Sequence, residues 1–138
     1  PSRVLEIGCG TGLLLFQIAP HTNQYWGTDL SSAGLNYIRQ HLQLSQVKLE
    51  QRTADNFEEI DAGSFNAVVL NSVVQYFPNI NYLLRVLEGA VKTVAPGGFI
   101  FIGDVRSLPL LEAFHASVQL YQSPVSLSIT ELKHRIQN

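Results

Sequence analysis

The chain has 138 residues, 46% of them hydrophobic, with a formal charge of −2 and a single cysteine. That size and apolar content suit one domain, 1–138, able to bury a core, and argue against disorder. The weak negative charge without a Lys/Arg cluster excludes a nucleic-acid footprint, and one cysteine excludes an internal disulfide or a multi-cysteine metal site. Only 14% of residues are charged, against about 25% in typical domains, which fits either family drift or a surface that lies against other domains. No signal sequence and no apolar run of about 18 residues is visible, so the expectation is a cytoplasmic protein with no membrane partner.

In chain order, residues 3–7 read as an apolar strand and 12–19 as a buried helix ended by Pro20. Tyr25 to Thr28 give a second strand, and Ser31 or Ser32 caps a helix carrying Leu35, Ile38 and Leu42. Val47 and Leu49 alternate with polar residues in a third strand. Asp61-Ala62-Gly63-Ser64 is a turn before Phe65 to Leu70, a strand apolar enough to be covered on both faces. A helix over 80–94 carries Ile80, Leu83, Leu84, Leu87, Val91 and Val94 as its apolar stripe and stops at Pro96-Gly97-Gly98. Phe99 to Gly103 is a fifth strand, followed by helices over 109–121 and 131–137, the last capped by Ser128 or Thr130. Strands alternating with helices predict an α/β fold, a Rossmann-like doubly wound and mainly parallel sheet.

The chemistry concentrates at Glu6-Ile7-Gly8-Cys9-Gly10-Thr11-Gly12, where the first strand runs into a glycine turn, and at Asp29, where the second strand ends. Closely spaced glycines let backbone approach a ligand, and an acidic residue about 20 positions on accepts hydrogen bonds from ribose hydroxyls. A dinucleotide site spaces its glycines G-x-G-x-x-G so that a pyrophosphate rests on the helix N-terminus. Here the spacing is G-x-G-x-G, and Glu6 would repel a pyrophosphate but suits a cationic amino group. S-adenosylmethionine (SAM) has an ammonium, a sulfonium and a ribose and no phosphate, so the loop prefers it to a nicotinamide dinucleotide. Cys9 within the turn reads as a small packing residue.

EIGCGTG with Asp29 in GTDLS resembles the first two motifs of class I SAM-dependent methyltransferases. The resemblance implies that Glu6, Gly8, Gly10 and Gly12 surround the methionine part and that Asp29 holds the ribose. It also implies that Asp55 and Asn56, after the third strand, touch the adenine, with Phe57 against its face; turn or cap chemistry is the alternative for Asp55 and Asn56. The segment NSVVQYFPNINYLLRVLEGAVKTVAPGGFIFIGDVRSL is similar to the methyltransferase domains embedded in nonribosomal peptide synthetases. That similarity implies N-methylation of an amino acid held as a thioester on a carrier domain, with neighbouring synthetase domains as partners. Methylation of a small-molecule oxygen or of polyketide carbon is the variant reading, and a SAM-binding or inert structural module the non-enzymatic one.

On the acceptor side, Asn71 and Ser72 end the fourth strand at the edge where open α/β sheets bind ligands, Asn71 placed to orient an acceptor amine or to cap the turn, and with a share in the cofactor site. Tyr76 either closes over the methyl group or packs in the core, and Gln75 is a weaker candidate. Asp104 and Arg106 follow the fifth strand; Asp104 serves as proton acceptor or ammonium anchor, or the two form a structural ion pair. His115, inside a helix, reads first as a structural group, and no spacing suggests a metal site. The family pattern has seven strands ordered 3-2-1-4-5-7-6, of which five are readable here. The chain therefore reads as a piece of a longer protein whose open fifth strand invites self-association, with weak cofactor binding and no turnover alone.

Overall fold

The computed structural model describes residues 2–124, 128, 130, 131, 134 and 135. Among the described residues five strands form one fully parallel sheet: β1 (Arg3–Ile7), β2 (Gln24–Asp29), β3 (Val47–Gln51), β4 (Phe65–Asn71) and β5 (Val94–Gly103). Their order is β3-β2-β1-β4-β5, with the chain reversing direction across the sheet at β1 and β4. Between them lie α1 (Leu15–Ile18), α2 (Ser32–His41) and α3 (Ile80–Thr93), and α4 (Leu111–Gln122) follows β5. This is the expected doubly wound architecture. The chain divides into two compact units, Pro1–Val105, which holds the sheet, and Arg106–Asn138.

The inner strands are buried because they are covered on both faces. Val4, Leu15, Tyr25, Leu35, Ile38, Ala67 and Val69 pack in one cluster, and Leu5, Ile7, Trp26, Phe65, Val68, Leu70, Val86 and Ala90 in the other. Alternate residues of β1 thus feed opposite cores, as the two-residue period of a strand requires. Ser31 caps α2 by accepting from Gly34 N at 3.2 Å. Leu42, expected on that helix, lies just past its end.

Three elements depart from the sequence reading. The first helix is not 12–19 but one α-turn, Leu15–Ile18, closed by a 3-10 turn that holds Pro20. The backbone at Gly8, Gly10 and Gly12 is left-handed, so the glycine turn extends further before helix can begin. On α3 the buried face is Val86, Ala90 and Thr93, whereas Ile80 and Val91 of the expected stripe are each 64% exposed. The reason is tertiary: Phe57 is pressed so close to Gly89 that any side chain at 89 would collide with its ring. The small Gly89–Ala90 side therefore faces inward. Finally, Pro96-Gly97-Gly98 does not separate helix from strand. The chain passes straight from Thr93 into β5, where Val94 pairs with Phe65 and a register shift absorbs the three residues before Phe99 pairs with Ala67.

β3 and β5 are the two edges of the sheet, and Phe99 on β5 is 61% exposed. In the second unit a 3-10 turn, Leu108–Leu110, leads into α4, which buries no residue. The helix expected over 131–137 lies largely outside the described residues, although Ser128 Oγ donates to Glu131 at 2.7 Å and accepts its backbone N–H at 3.3 Å. No helix among the described residues is long and apolar enough to cross a membrane.

Candidate functional site

Parallel strands all point their carboxyl ends to one edge, and an open sheet binds ligands where its order reverses, here between β1 and β4. A cavity of about 550 Å³ lies at that edge. Ile7, Gly8 and Gly10 form its β1 side, Asp29 and Leu30 the β2 side, and Ser72, Val73, Tyr76, Phe77 and Pro78 the β4 side, with Arg52, Ala54 and Tyr82 completing it.

The glycine turn is held from within. Gly8 N and Cys9 N both donate to Thr28 O, at 2.8 and 3.0 Å, and Gly12 N donates to Cys9 O at 2.8 Å. Gly10 N donates to Asp29 Oδ2 at 2.8 Å, while Ser31 N donates to Oδ1 at 2.7 Å. Each carboxylate oxygen of Asp29 therefore carries one backbone hydrogen bond and keeps a lone pair for a ligand. The turn, with four of its amides committed to the protein, is not a nest of free N–H groups for a phosphate, and α1 is too short to supply a helix dipole. Gly8 has φ +79°, and a Cβ there would stand 2.5 Å from Val73 Cγ2. Only glycine fits this crossing between the turn and the β4 loop.

Glu6 stands behind the turn, 3% exposed, and accepts a 2.8 Å hydrogen bond from the Tyr25 hydroxyl. Burial pushes its carboxyl up to about 7, the Tyr25 hydrogen bond opposes that, and the charge of Asp29 adds to it. Burial, with Glu6 and Asp29 close by, likewise pushes the Cys9 thiol up to about 12. A thiol so raised stays protonated, and Cys9 packs in the core.

Of the residues nominated from sequence, Gly8, Gly10, Asp29 and Tyr76 line the cavity. Glu6 and Gly12 are buried and do not line it. Asp55 is paired with Arg85 at 3.2 Å. Burial alone would raise the Asp55 carboxyl, but hydrogen bonds from Thr53, Tyr82 and Arg85 outweigh it and hold the group below its ordinary range. Asn56 Oδ1 accepts from Glu58 N at 2.9 Å, the turn chemistry set beside its adenine role. Phe57 packs on Gly89 and, partly buried, against the second core cluster.

Asn71, Ser72 and Asp104 meet at the ends of β4 and β5 because Asn71 pairs with Gly103. Ser72 Oγ donates to Asp104 Oδ2 at 2.7 Å, and Asn71 Nδ2 donates to Ser72 Oγ at 3.2 Å. Arg106 belongs to the second unit, where its guanidinium lies 4.9 Å above the Phe114 ring. His115 meets that ring edge-on, with centroids 5.6 Å apart. Sequence reading missed Arg52, whose guanidinium is paired with Glu50 and donates to Glu58 O at 2.9 Å. Its signal was its position one residue past the end of the third strand. Leu30, apolar and exposed directly after Asp29, carried a similar signal.

A doubly wound sheet of this order, a glycine turn with four amides committed to the protein and an acidic strand end fit the class I SAM-dependent methyltransferases. A family model described as a methyltransferase domain matches residues 5–100, and the chain belongs to that family. It is 50% identical over 99% of its length to chondramide synthase cmdD of Chondromyces crocatus, of which it spans 4%. It is 40% identical over 91% of its length to a probable non-canonical nonribosomal peptide synthetase, CymA, of Salinispora arenicola, of which it spans 2%. Among solved structures, SAM-bound CalS10 of Micromonospora echinaspora, an amino pentose methyltransferase, superposes with a TM-score of 0.65 at 25% identity, covering 73% of this chain and 42% of that one. The chain is a SAM-dependent methyltransferase similar to domains embedded in peptide synthetases.

Proposed function

We propose that this domain takes SAM in the cavity beside Asp29 and methylates the α-amino nitrogen of an aminoacyl thioester presented by a carrier domain. The observation that carries the cofactor reading is the state of the glycine turn: four of its amides, those of Gly8, Cys9, Gly10 and Gly12, are committed to Thr28, Cys9 and Asp29, while Asp29 keeps lone pairs for a ribose. Such a site fits a phosphate-free nucleoside. The residues fit it in three parts. Asp29 holds the ribose hydroxyls, the turn from Gly8 to Gly12 contacts the methionine part, and the buried Glu6 carboxylate draws the ammonium end. Bound there, SAM supplies an electrophilic methyl group whose bond to sulfur breaks with its electron pair staying on sulfur.

The protein's share of the reaction is alignment and proton management. Good alignment alone can supply roughly 7–11 kcal/mol of a bimolecular barrier. The acceptor must offer a free lone pair, so an ammonium needs a group to take its proton. Asp104 is the carboxylate on the β4–β5 side of the edge, and among the described residues of the first unit no cation pairs with it. It anchors the incoming ammonium and accepts its proton, while Asn71 and Tyr76 orient the nitrogen. The similarity to peptide synthetases supports the carrier-bound acceptor and neighbouring synthetase domains as partners, and a cytoplasmic location goes with that assembly.

Transfer of label from SAM to an aminoacyl carrier domain, with the α-amine free or acetylated, tests this reading. Labelling of the free amine alone supports it. Labelling that persists after acetylation contradicts it and points to oxygen or carbon as acceptor.

A further inference from the structure

Ser72 was placed by sequence at the ligand-binding edge without a role, yet it is where the cavity and the acidic strand end touch. It lines the cavity, and its hydroxyl donates to Asp104 Oδ2 at 2.7 Å. A serine hydroxyl has one proton and two lone pairs. The proton goes to Asp104, and Asn71 Nδ2 occupies one lone pair at 3.2 Å. One lone pair is left, on an oxygen polarised by a carboxylate with which no cation pairs among the described residues of the first unit. An oxygen in this state accepts and does not donate.

The backbone around it is arranged at some cost. Ser72 and Asp104 are both left-handed, at φ +56° and +54°, an uncommon conformation for serine. Ser72 N donates to Gly103 O at 3.2 Å, which ties the two strand ends together. Gly103 lacks the side chain that would collide with Asn71 Oδ1, so the amide can lie across β5 and reach Ser72. Two left-handed residues thus face each other across neighbouring strands and are joined through their side chains.

We infer that Ser72 is the docking group for the acceptor nitrogen: its remaining lone pair accepts an N–H of the amine, while Asp104 fixes the hydroxyl and supplies the negative charge that favours a cationic acceptor. This rests on the amine-acceptor reading above. It adds a specificity determinant to that reading, since the pair discriminates an amino group from an isosteric group lacking it. No bond is made or broken by Ser72 itself.

The test uses the full-length polypeptide saturated with S-adenosylhomocysteine and two probes, L-alanyl pantetheine amide and its des-amino counterpart, propionyl pantetheine amide. Calorimetry gives the ratio of their affinities in the wild type, Ser72→Gly and Asp104→Asn. Glycine accepts φ +56° freely, so Ser72→Gly removes the hydroxyl without adding backbone strain. Asparagine keeps an acceptor for Ser72 but removes the charge. A hydrogen bond to a charged group corresponds to about tenfold or more in affinity. The wild type should prefer the amine probe, and both variants should lose about tenfold or more of that preference while the propionyl probe binds as before. Methylation of alanyl thioester by Ser72→Gly should fall mainly through a higher KM. Preference retained in both variants, or equal weakening of both probes, overturns the role of Ser72. A wild type that binds S-adenosylhomocysteine but shows no preference for the amine overturns the amine reading itself, and this inference with it. If Ser72→Gly fails to fold, Ser72→Cys, whose thiol is a poor hydrogen-bond acceptor, decides, because Asp104→Asn also removes the anchor assigned to Asp104 itself.

Discussion

Glu6→Gln isolates a charge that the fold buries, and its effect should reverse the usual dependence of stability on pH. The Glu6 carboxyl moves from an ordinary 4.5 to about 7 in the folded chain. The folded state therefore binds its proton more tightly than the unfolded state. Its contribution is fully present below pH 4.5 and is lost as pH rises through about 7. A tenfold difference in proton affinity between the two states corresponds to about 1.4 kcal/mol, so the whole interval amounts to about 3 kcal/mol. Glutamine has nearly the same shape, keeps an oxygen for the Tyr25 hydroxyl and does not titrate. Urea unfolding of both chains from pH 4.5 to about 8 gives the difference in stability, in which every other titrating group cancels. That difference should move by about 3 kcal/mol in favour of Glu6→Gln as pH rises, a change of order 10 °C in Tm for a domain of this size. Parallel curves would show that Glu6 titrates as an ordinary surface acid and would refute its burial as a cause.

The same carboxyl links cofactor binding to protons. An ammonium brought near Glu6 should lower its pKa, so binding of S-adenosylhomocysteine at about pH 6.5 should release protons, measured by calorimetry in buffers of different ionisation enthalpy; uptake or no change would separate Glu6 from the amino end of the ligand. Phe57→Ala should cost about 3 kcal/mol by opening space against Gly89, read as a lower urea midpoint, while cofactor affinity stays within about twofold of the wild type. A specific loss of affinity would instead give Phe57 the adenine-contact role that its sequence position suggested. Gly34→Ala would place a Cβ 2.5 Å from Gly10 O, where α2 presses on the glycine turn. It should cost about 1–3 kcal/mol by overpacking and weaken cofactor binding with it; unchanged affinity would mean that the turn is not held by α2.

The glycine turn and Asp29 were legible in sequence because their signals are local: an apolar strand, left-handed positions that need glycine, and an acid where the next strand ends. The inner strands were legible for the same reason, since runs too apolar for water must be covered on both faces, and β3 by the alternation of Val47 and Leu49 with polar residues. The inward face of α3 was not. Its apolar residues wrap more than one side, and the side is chosen by a distant contact, that of Phe57 with Gly89. The joining of Ser72 to Asp104 was hidden similarly. Each stood in a recognisable position at a strand end, but only the register of Asn71 with Gly103 brings the two side chains within hydrogen-bonding distance. Burial of Glu6 behind the turn also depends on Tyr25 from the neighbouring strand, so its raised pKa could not be read from the motif alone.

Calorimetric titration of the chain with S-adenosylhomocysteine and with NADH, in the wild type and in Asp29→Ala, bears most directly on the cofactor site. One molecule of S-adenosylhomocysteine should bind, Asp29→Ala should weaken it by about tenfold or more through loss of hydrogen bonds to a charged group, and NADH should not bind. Binding of NADH without S-adenosylhomocysteine, or S-adenosylhomocysteine affinity indifferent to Asp29→Ala, would contradict the account.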